Sequence, residues 1–285
     1  MRTASRSQSN QGARRALHSS AVTHAFFHSP RPLVFAHRGG SGLAPENTLA
    51  AFDRAVALGV DGLELDVRLS KDGIVVVHHD RELSRTTDLS GPVDRYSADE
   101  LARADAAFTF ASTAPGVDAR TFRGAGIGVP TLSTVLDRYR DVRVIIELKL
   151  NEPELARTTV AAVRAAGADQ RVCLGSFGLR ALRTARALAP HIATSAAREE
   201  VRWALYRSWC HWPVRRVAYF GYQVPETSGR TRVVTPRFIA DAHRAGLGVQ
   251  IWTVDDAADA RRLLSWGADA LISDRPDVVL GVIAP

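Results

Sequence analysis

Between residues 62 and 70 apolar and polar side chains alternate without a break. Leu63, Leu65, Val67 and Leu69 fall on one face, and Glu64, Asp66, Arg68 and Ser70 on the other. This period of two predicts a strand on which two carboxylates and an arginine share a side. Asp72-Gly73 and the β-branched run of residues 74–77 follow at once, so a hairpin with antiparallel arms is expected; so short a gap leaves no room for a parallel crossover. Register then selects between two consecutive histidines. A two-residue loop sets Asp66 opposite His79, and a loop over 70–73 sets Glu64 opposite His79. Either even-length loop brings His79 to the acidic face and turns His78 away, whereas a three-residue loop reverses the choice.

The pattern on either side places this hairpin within a longer alternation. Residues 33–36 are an apolar run that opens into His37-Arg38-Gly39-Gly40. Pro45-Glu46-Asn47-Thr48 leads into a helix with Asn47 or Thr48 as N-cap and Gly59 as its stop. Residues 81–141 are irregular, with a capping box at Ser97 and Glu100 and a further helix from Leu132 to Tyr139, and read as an insertion. Strand runs are expected at 142–150, 171–176, 192–195, 217–221, 248–254 and 268–273, separated by helices at 154–166, 179–189, 198–209, 236–245 and 257–266. Such βα repetition predicts an α/β protein with a single (β/α)8 barrel over residues 33–285. Counting both hairpin arms gives nine strands, so one is an extra arm.

Composition narrows the class. With 285 residues, 46% hydrophobic and 24% charged, the chain suits a soluble globular protein. No apolar run approaches the roughly 20 residues of a membrane span. Cys173 and Cys210 are the only cysteines; they form no disulfide framework and fit a reducing, cytoplasmic compartment. The formal charge is +7. Arg2, Arg6, Arg14, Arg15 and Arg31 supply five of it with no acid in residues 1–32. That segment lacks periodicity and reads as a disordered basic tail; its composition resembles a transit peptide, with a plain solvated tail or a misplaced start codon equally open. The rest of the chain is nearly neutral, which argues against nucleic acid as a partner.

The chemistry gathers where strands end. Two carboxylates side by side on one strand are costly unless neutralised, and a hard divalent cation is the natural solution. Glu147 and Lys149 share a face of their own strand in the same way: Glu147 as a third carboxylate for the cation, Lys149 as a point charge for an anion. Either segment alone also reads as an ordinary solvated face or intra-strand ion pair. His37-Arg38-Gly39-Gly40 offers an imidazole, a guanidinium fork suited to phosphate and a backbone that a ligand can approach. With His79 it makes a pair of histidines at different strand ends, suited to acid–base work in phosphoryl transfer. No glycine-rich nucleotide fingerprint follows a strand.

His37-Arg38-Gly39, Pro45-Glu46-Asn47-Thr48, Glu64-Leu65-Asp66-Val67, Lys71-Asp72-Gly73, His79-Asp80, Glu147-Leu148-Lys149, Trp252-Thr253-Val254 and Ser273-Asp274-Arg275-Pro276 run in order along the chain. Together they resemble the glycerophosphodiester phosphodiesterase family. The resemblance implies a TIM barrel, and a divalent cation (calcium or magnesium) held by Glu64, Asp66 and Glu147. It also implies His37 and His79 as the acid–base pair, and Arg38, Glu46, Lys149 and Trp252 at substrate- or phosphate-binding positions. The residue reading and the resemblance converge on hydrolysis of glycerophosphodiesters to glycerol 3-phosphate and an alcohol, in which His37 is expected to take the proton from the attacking oxygen, of water or of a neighbouring glycerol hydroxyl, and His79 to protonate the departing alcohol.

Rival readings on the same scaffold are a lysophospholipase D or a phospholipase-like lyase, and more remotely a barrel that binds without catalysis. Trp252 alone reads equally as a site wall or a barrel-layer residue, and Asp274 as a cap of the last turn. Residues 198–222 mix five arginines with three tryptophans and three tyrosines. Peripheral lipid contact is one reading of such a stretch; the commoner one packs the tryptophans on the barrel and solvates the arginines.

Overall fold

The computed structural model describes residues 24–112, 114–214 and 217–283. The strands are β1 (Leu33–Ala36), β2 (Gly62–Leu69), β3 (Val75–Val77), β4 (Arg143–Leu148), β5 (Val172–Gly175), β6 (Ala193–Thr194), β7 (Gly221–Pro225), β8 (Thr227–Ser228), β9 (Thr231–Arg232), β10 (Gly248–Trp252) and β11 (Ala270–Ser273). The helices are α1 (Leu49–Leu58), α2 (Ala98–Arg103), α3 (Leu132–Arg138), α4 (Pro153–Ala165), α5 (Leu179–Leu188), α6 (Arg198–Trp209), α7 (Pro236–Arg244), α8 (Ala257–Ser265) and α9 (Pro276–Ile283).

Eight parallel strands lie in the order β6-β5-β4-β2-β1-β11-β10-β7, and a parallel bridge between Ser195 and Gly221 closes the ring. The chain is therefore a (β/α)8 barrel, and the extra arm is β3, which pairs antiparallel with β2 outside the ring. Strand alternation sorts side chains to two buried sides. Leu63, Leu65 and Val67 of β2 pack with Val144, Ile146 and Leu148 of β4 against α1, α3 and α4. Phe35, Ile145, Cys173, Ala193, Ala270 and Ile272 cluster together as the apolar filling of the ring. Both faces of β2 are buried, so its carboxylates are not the solvated edge of an amphipathic hairpin.

The hairpin register departs from both even-length expectations. Leu69 pairs with Val75, Arg68 with Val76 and Val67 with Val77, which leaves a five-residue loop. By register His78 falls opposite Asp66, and its N–H does donate to the Asp66 carbonyl at 2.9 Å. The strand ends at Val77, however, and the chain turns out of the ladder. His78 is buried with Nε2 near the Glu82 carbonyl, while His79 faces the barrel mouth. His79 reaches the mouth through the exit from the strand and not through the register.

Three further boundaries shift. The disordered tail expected over residues 1–32 extends into folded chain: residues 24–32 are ordered, with Phe26 and Phe27 only 1% and 3% exposed in the cluster that fills the ring. Residues 1–23, where the rest of that expectation falls, lie outside the described residues. The strand expected at 217–221 forms instead at Gly221–Pro225, because Gly221 opens the ladder with β10. A Cβ at Gly221 or Gly248 would meet the Phe27 ring at 2.5 or 2.7 Å, so the first position of each of these strands is kept open for that ring. The insertion is shorter than 81–141. Leu132, Val135 and Leu136 of α3 belong to the main core, whereas residues 81–130 form a satellite around Leu83, Leu101 and Val129.

Candidate active site

The inner faces of the strands grow polar toward their C-terminal ends, where a cavity of about 800 Å³ opens. Its walls include His37, Arg38, Glu64, His79, Glu147, Lys149 and Trp252. Asp66 adjoins them, buried at 1% exposure. Glu46 stands to the side, held by Arg38 (Nη1 to Oε1, 3.1 Å) and by two bonds from Arg85 at 2.6 and 2.8 Å. Eight of the nine residues expected from sequence thus converge directly, and Glu46 joins them through Arg38.

Two adjacent strands present the acids. Asp66 and Glu147 are register partners of β2 and β4, and Glu64 sits one pleat below on the same side of β2. One carboxylate oxygen from each lies within 4.8 Å of the others. Burial, with Asp66 as a close like charge, holds Glu64 above the usual carboxylate range; burial does the same to Glu147, against the pull of Lys149. Asp66 is the exception: Lys149 and Arg38 outweigh its burial and keep it below the usual range. Three hard oxygen donors that resist carrying full charge together are a donor set fitted to a divalent cation. Asn47 fixes one of them, donating from Nδ2 to Asp66 Oδ2 at 2.9 Å from a backbone with φ +59°. The N-cap of α1 is Thr48, which leaves Asn47 free for this work.

Two cations flank the acids. Lys149 Nζ lies 3.0 Å from Glu147 and 3.3 Å from Asp66. Arg38 Nε is 3.3 Å from Asp66 Oδ2 but out of line for a hydrogen bond, so this buried donor has no hydrogen-bond partner among the described residues. Arg38 itself is in the left-handed region at φ +51°, and its N–H donates to Glu64 at 2.9 Å.

Each histidine is tied to an aspartate. His37 Nδ1 is 2.7 Å from Asp274 Oδ1, which also accepts from Ser41 at 2.5 Å. His79 Nδ1 is 2.6 Å from Asp80 Oδ1. Both carboxyls are held below their usual range: burial opposes this, and the hydrogen bonds of His37 and Ser41 outweigh it at Asp274, as those of Arg85 and His79 do at Asp80. Ionised carboxylates only accept, so each imidazole carries its proton on Nδ1 and leaves Nε2 for the cavity. The two rings then differ. Burial opposes the charged form of His37, but Glu64 and Asp274 outweigh it and push its pKa up to about 9. Burial lowers that of His79, with Lys149 and Arg38 adding to the effect against Asp66 and Asp80.

The model of the glycerophosphoryl diester phosphodiesterase family matches residues 37–278. The chain belongs to this family. A glycerophosphodiester phosphodiesterase of Caldanaerobacter subterraneus is 30% identical over 258 residues, spanning 89% of this chain and 98% of that protein. Among solved structures, the glycerophosphodiester phosphodiesterase of Agrobacterium tumefaciens superposes with a TM-score of 0.70 at 30% identity, over 88% of this chain and 100% of that one. An Oleispira antarctica phosphodiesterase, solved in complex with the product sn-glycerol-3-phosphate, gives 0.71 at 30% identity over 89% and 97%. Membership makes this protein a phosphoric diester hydrolase.

Sequence reasoning missed four residues that orient this family site. Asp274 serves His37 and does not cap the last turn; Asp255 takes that part, accepting from the N–H groups of Asp274 and Arg275. Asp80 and Arg85 brace His79 and Glu46, with Arg85 bonding both acids. The sequence around Asn47 marks it only as a possible cap. His79-Asp80 and Asn47 sit inside the quoted motifs and were legible as polar residues beside the site, whereas no local signal marks Arg85. Both cysteines are free, Cys173 buried and Cys210 exposed. Among the described residues, no helix is long and apolar enough to cross a membrane.

Proposed function

We propose that this hydrolase cleaves glycerophosphodiesters to glycerol 3-phosphate and an alcohol, with a divalent cation (calcium or magnesium) held by Glu64, Asp66 and Glu147. The observation that carries the reading is the convergence of three carboxylate oxygens within 4.8 Å, between two histidines whose Nε2 atoms are left for the cavity. The product seen in the Oleispira antarctica relative supports the substrate class. When bound, the cation supplies Lewis-acid charge to the phosphoryl oxygens. Lys149 and Arg38 add fixed positive charge beside it, and the unpartnered Arg38 Nε–H supplies a donor for a phosphate oxygen. Glu46 holds the Arg38 fork in place.

His37 takes the proton of the attacking oxygen and His79 delivers one to the departing alcohol. His37 must be neutral for this, and Glu64 is the strongest influence that keeps it charged. Once the charge of Glu64 is compensated within the site, that influence is removed and His37 returns toward its ordinary value. Asp274 and Asp80 fix the tautomers throughout.

Turnover of glycerophosphocholine and glycerophosphoethanolamine is expected to stop with chelator and return with calcium or magnesium. Retention of full activity after exhaustive chelation would overturn the cation's part. Replacing either histidine with alanine costs roughly 10²–10⁴ in rate. On a diester with p-nitrophenol as leaving group, His79→Ala recovers much of its loss, because that group departs unprotonated, and His37→Ala does not. The opposite pattern would exchange the two roles.

A further inference from the structure

The aromatic residues of α6 do not pack on the barrel. The side of the helix turned to the barrel is small, with Ala204, Leu205 and Ser208 buried. Trp203, Tyr206 and Trp209 are 64%, 48% and 55% exposed, and Trp212 in the next turn is 64% exposed. The first three form a ladder of edge-on rings with centroids 6.2 and 5.6 Å apart. So much contiguous aromatic surface in water marks a face that meets something.

The charge around the ladder indicates what that is. Exposed Arg202 lies one turn from Tyr206 on the same side, and residues 198–212 hold three arginines against two glutamates. Of the two acids, Glu200 is already occupied by Arg186 at 2.8 and 2.9 Å and by the Ala197 N–H. A second copy of the chain would bring one basic face against another, which disfavours self-association here. Indole and phenol rings with arginine are the side chains that settle in a headgroup layer, where their apolar bodies are buried and their polar tips stay wet. Tyr206 and Trp209 also line the rim of the catalytic cavity, so this face and the cavity mouth are continuous.

We propose that the aromatic face of α6 docks on an anionic phospholipid bilayer and seats the cavity mouth at its headgroup layer. The proposal does not depend on which diester is cleaved, and its readout is binding. The full chain is mixed with sucrose-loaded vesicles of phosphatidylcholine, alone or in roughly three-to-one mixture with phosphatidylglycerol, and sedimented. Wild type is expected to pellet with the mixed vesicles at low salt, about ten-fold more weakly with phosphatidylcholine alone, and less as salt rises. The double variant Trp203→Ser/Trp212→Ser is expected to lose about ten-fold in binding. It keeps its turnover of a soluble diester, since neither residue lines the catalytic cavity. In the unmodified protein, vesicles with brominated acyl chains quench tryptophan emission, because three of the five tryptophans lie on this face. Wild type left in the supernatant with mixed vesicles, absence of quenching, or undiminished binding by the double variant would each overturn the proposal. So would sedimentation velocity showing a wild-type dimer that the double variant turns into a monomer, which would make the face a contact between copies.

Discussion

At the scale of single residues, the site is governed by partners more than by the groups themselves. His37 and His79 differ in charge because Glu64 approaches one ring (Nε2 to Oε2, 3.8 Å) while Lys149 and Arg38 act on the other. Asp274 is a positioning residue for His37. Asp274→Asn removes a carboxylate that raises the pKa of His37, so the acidic limb of the kcat profile moves to lower pH. It also loses control of the tautomer, and kcat falls roughly 10- to 100-fold with KM nearly unchanged. An unshifted limb with full kcat would show that Asp274 is only structural. The sequence showed Asp274 inside a recognisable motif but not its partner, since the pair is 237 positions apart. Glu64, Asp66 and Glu147 were legible because strand alternation puts like-spaced residues on one side.

At the scale of elements, two short pieces do more than their length suggests. The turn at Ala25–Phe27 closes the end of the ring opposite the site by laying Phe27 over Gly221 and Gly248. Phe27→Ala leaves a void in a filled ring and should cost about 3–5 kcal/mol, read as a lower urea midpoint with turnover of a soluble diester retained. The exit of the chain from β3 after Val77 is the second piece, and it alone brings His79 rather than His78 to the cavity. Alternation along the strand predicted the elements well, but loop length set the register, and an odd loop of five residues carries no clear signal in sequence. Helix α7 is fastened by His243, whose Nε2 lies 2.8 Å from Asp269 Oδ2. The hydrogen bond and the charge of Asp269 raise the pKa of His243 against its burial. Folding therefore favours the charged imidazole. Its stabilisation is complete below the ordinary value of 6.5 and fades as pH rises through the raised one. Thermal melts of His243→Gln should fall below wild type at about pH 5.5 and approach it at about pH 9.5, and an equal deficit at both would refute the assignment.

At the scale of the whole molecule, the barrel brings like charges together and is fitted to have them neutralised. A cation that binds only the folded state stabilises it by mass action, about 2.7 kcal/mol at a hundred-fold excess over its dissociation constant. Thermal melts are expected to rise with calcium or magnesium, and Glu147→Gln is expected to remove most of that rise. Equal shifts in both proteins would place the cation elsewhere.

The chain's own pattern settled the repeated βα units, the barrel and the strand ends that bear acids and imidazoles, because periodicity and motif spacing are local properties that survive without coordinates. Closure of the ring, the aromatic plug at its far end, the aspartate behind His37 and the outward turn of the α6 aromatics were decided only in three dimensions. Each depends on which distant segments meet, and burial and charge act on neighbours in space whatever their separation along the chain.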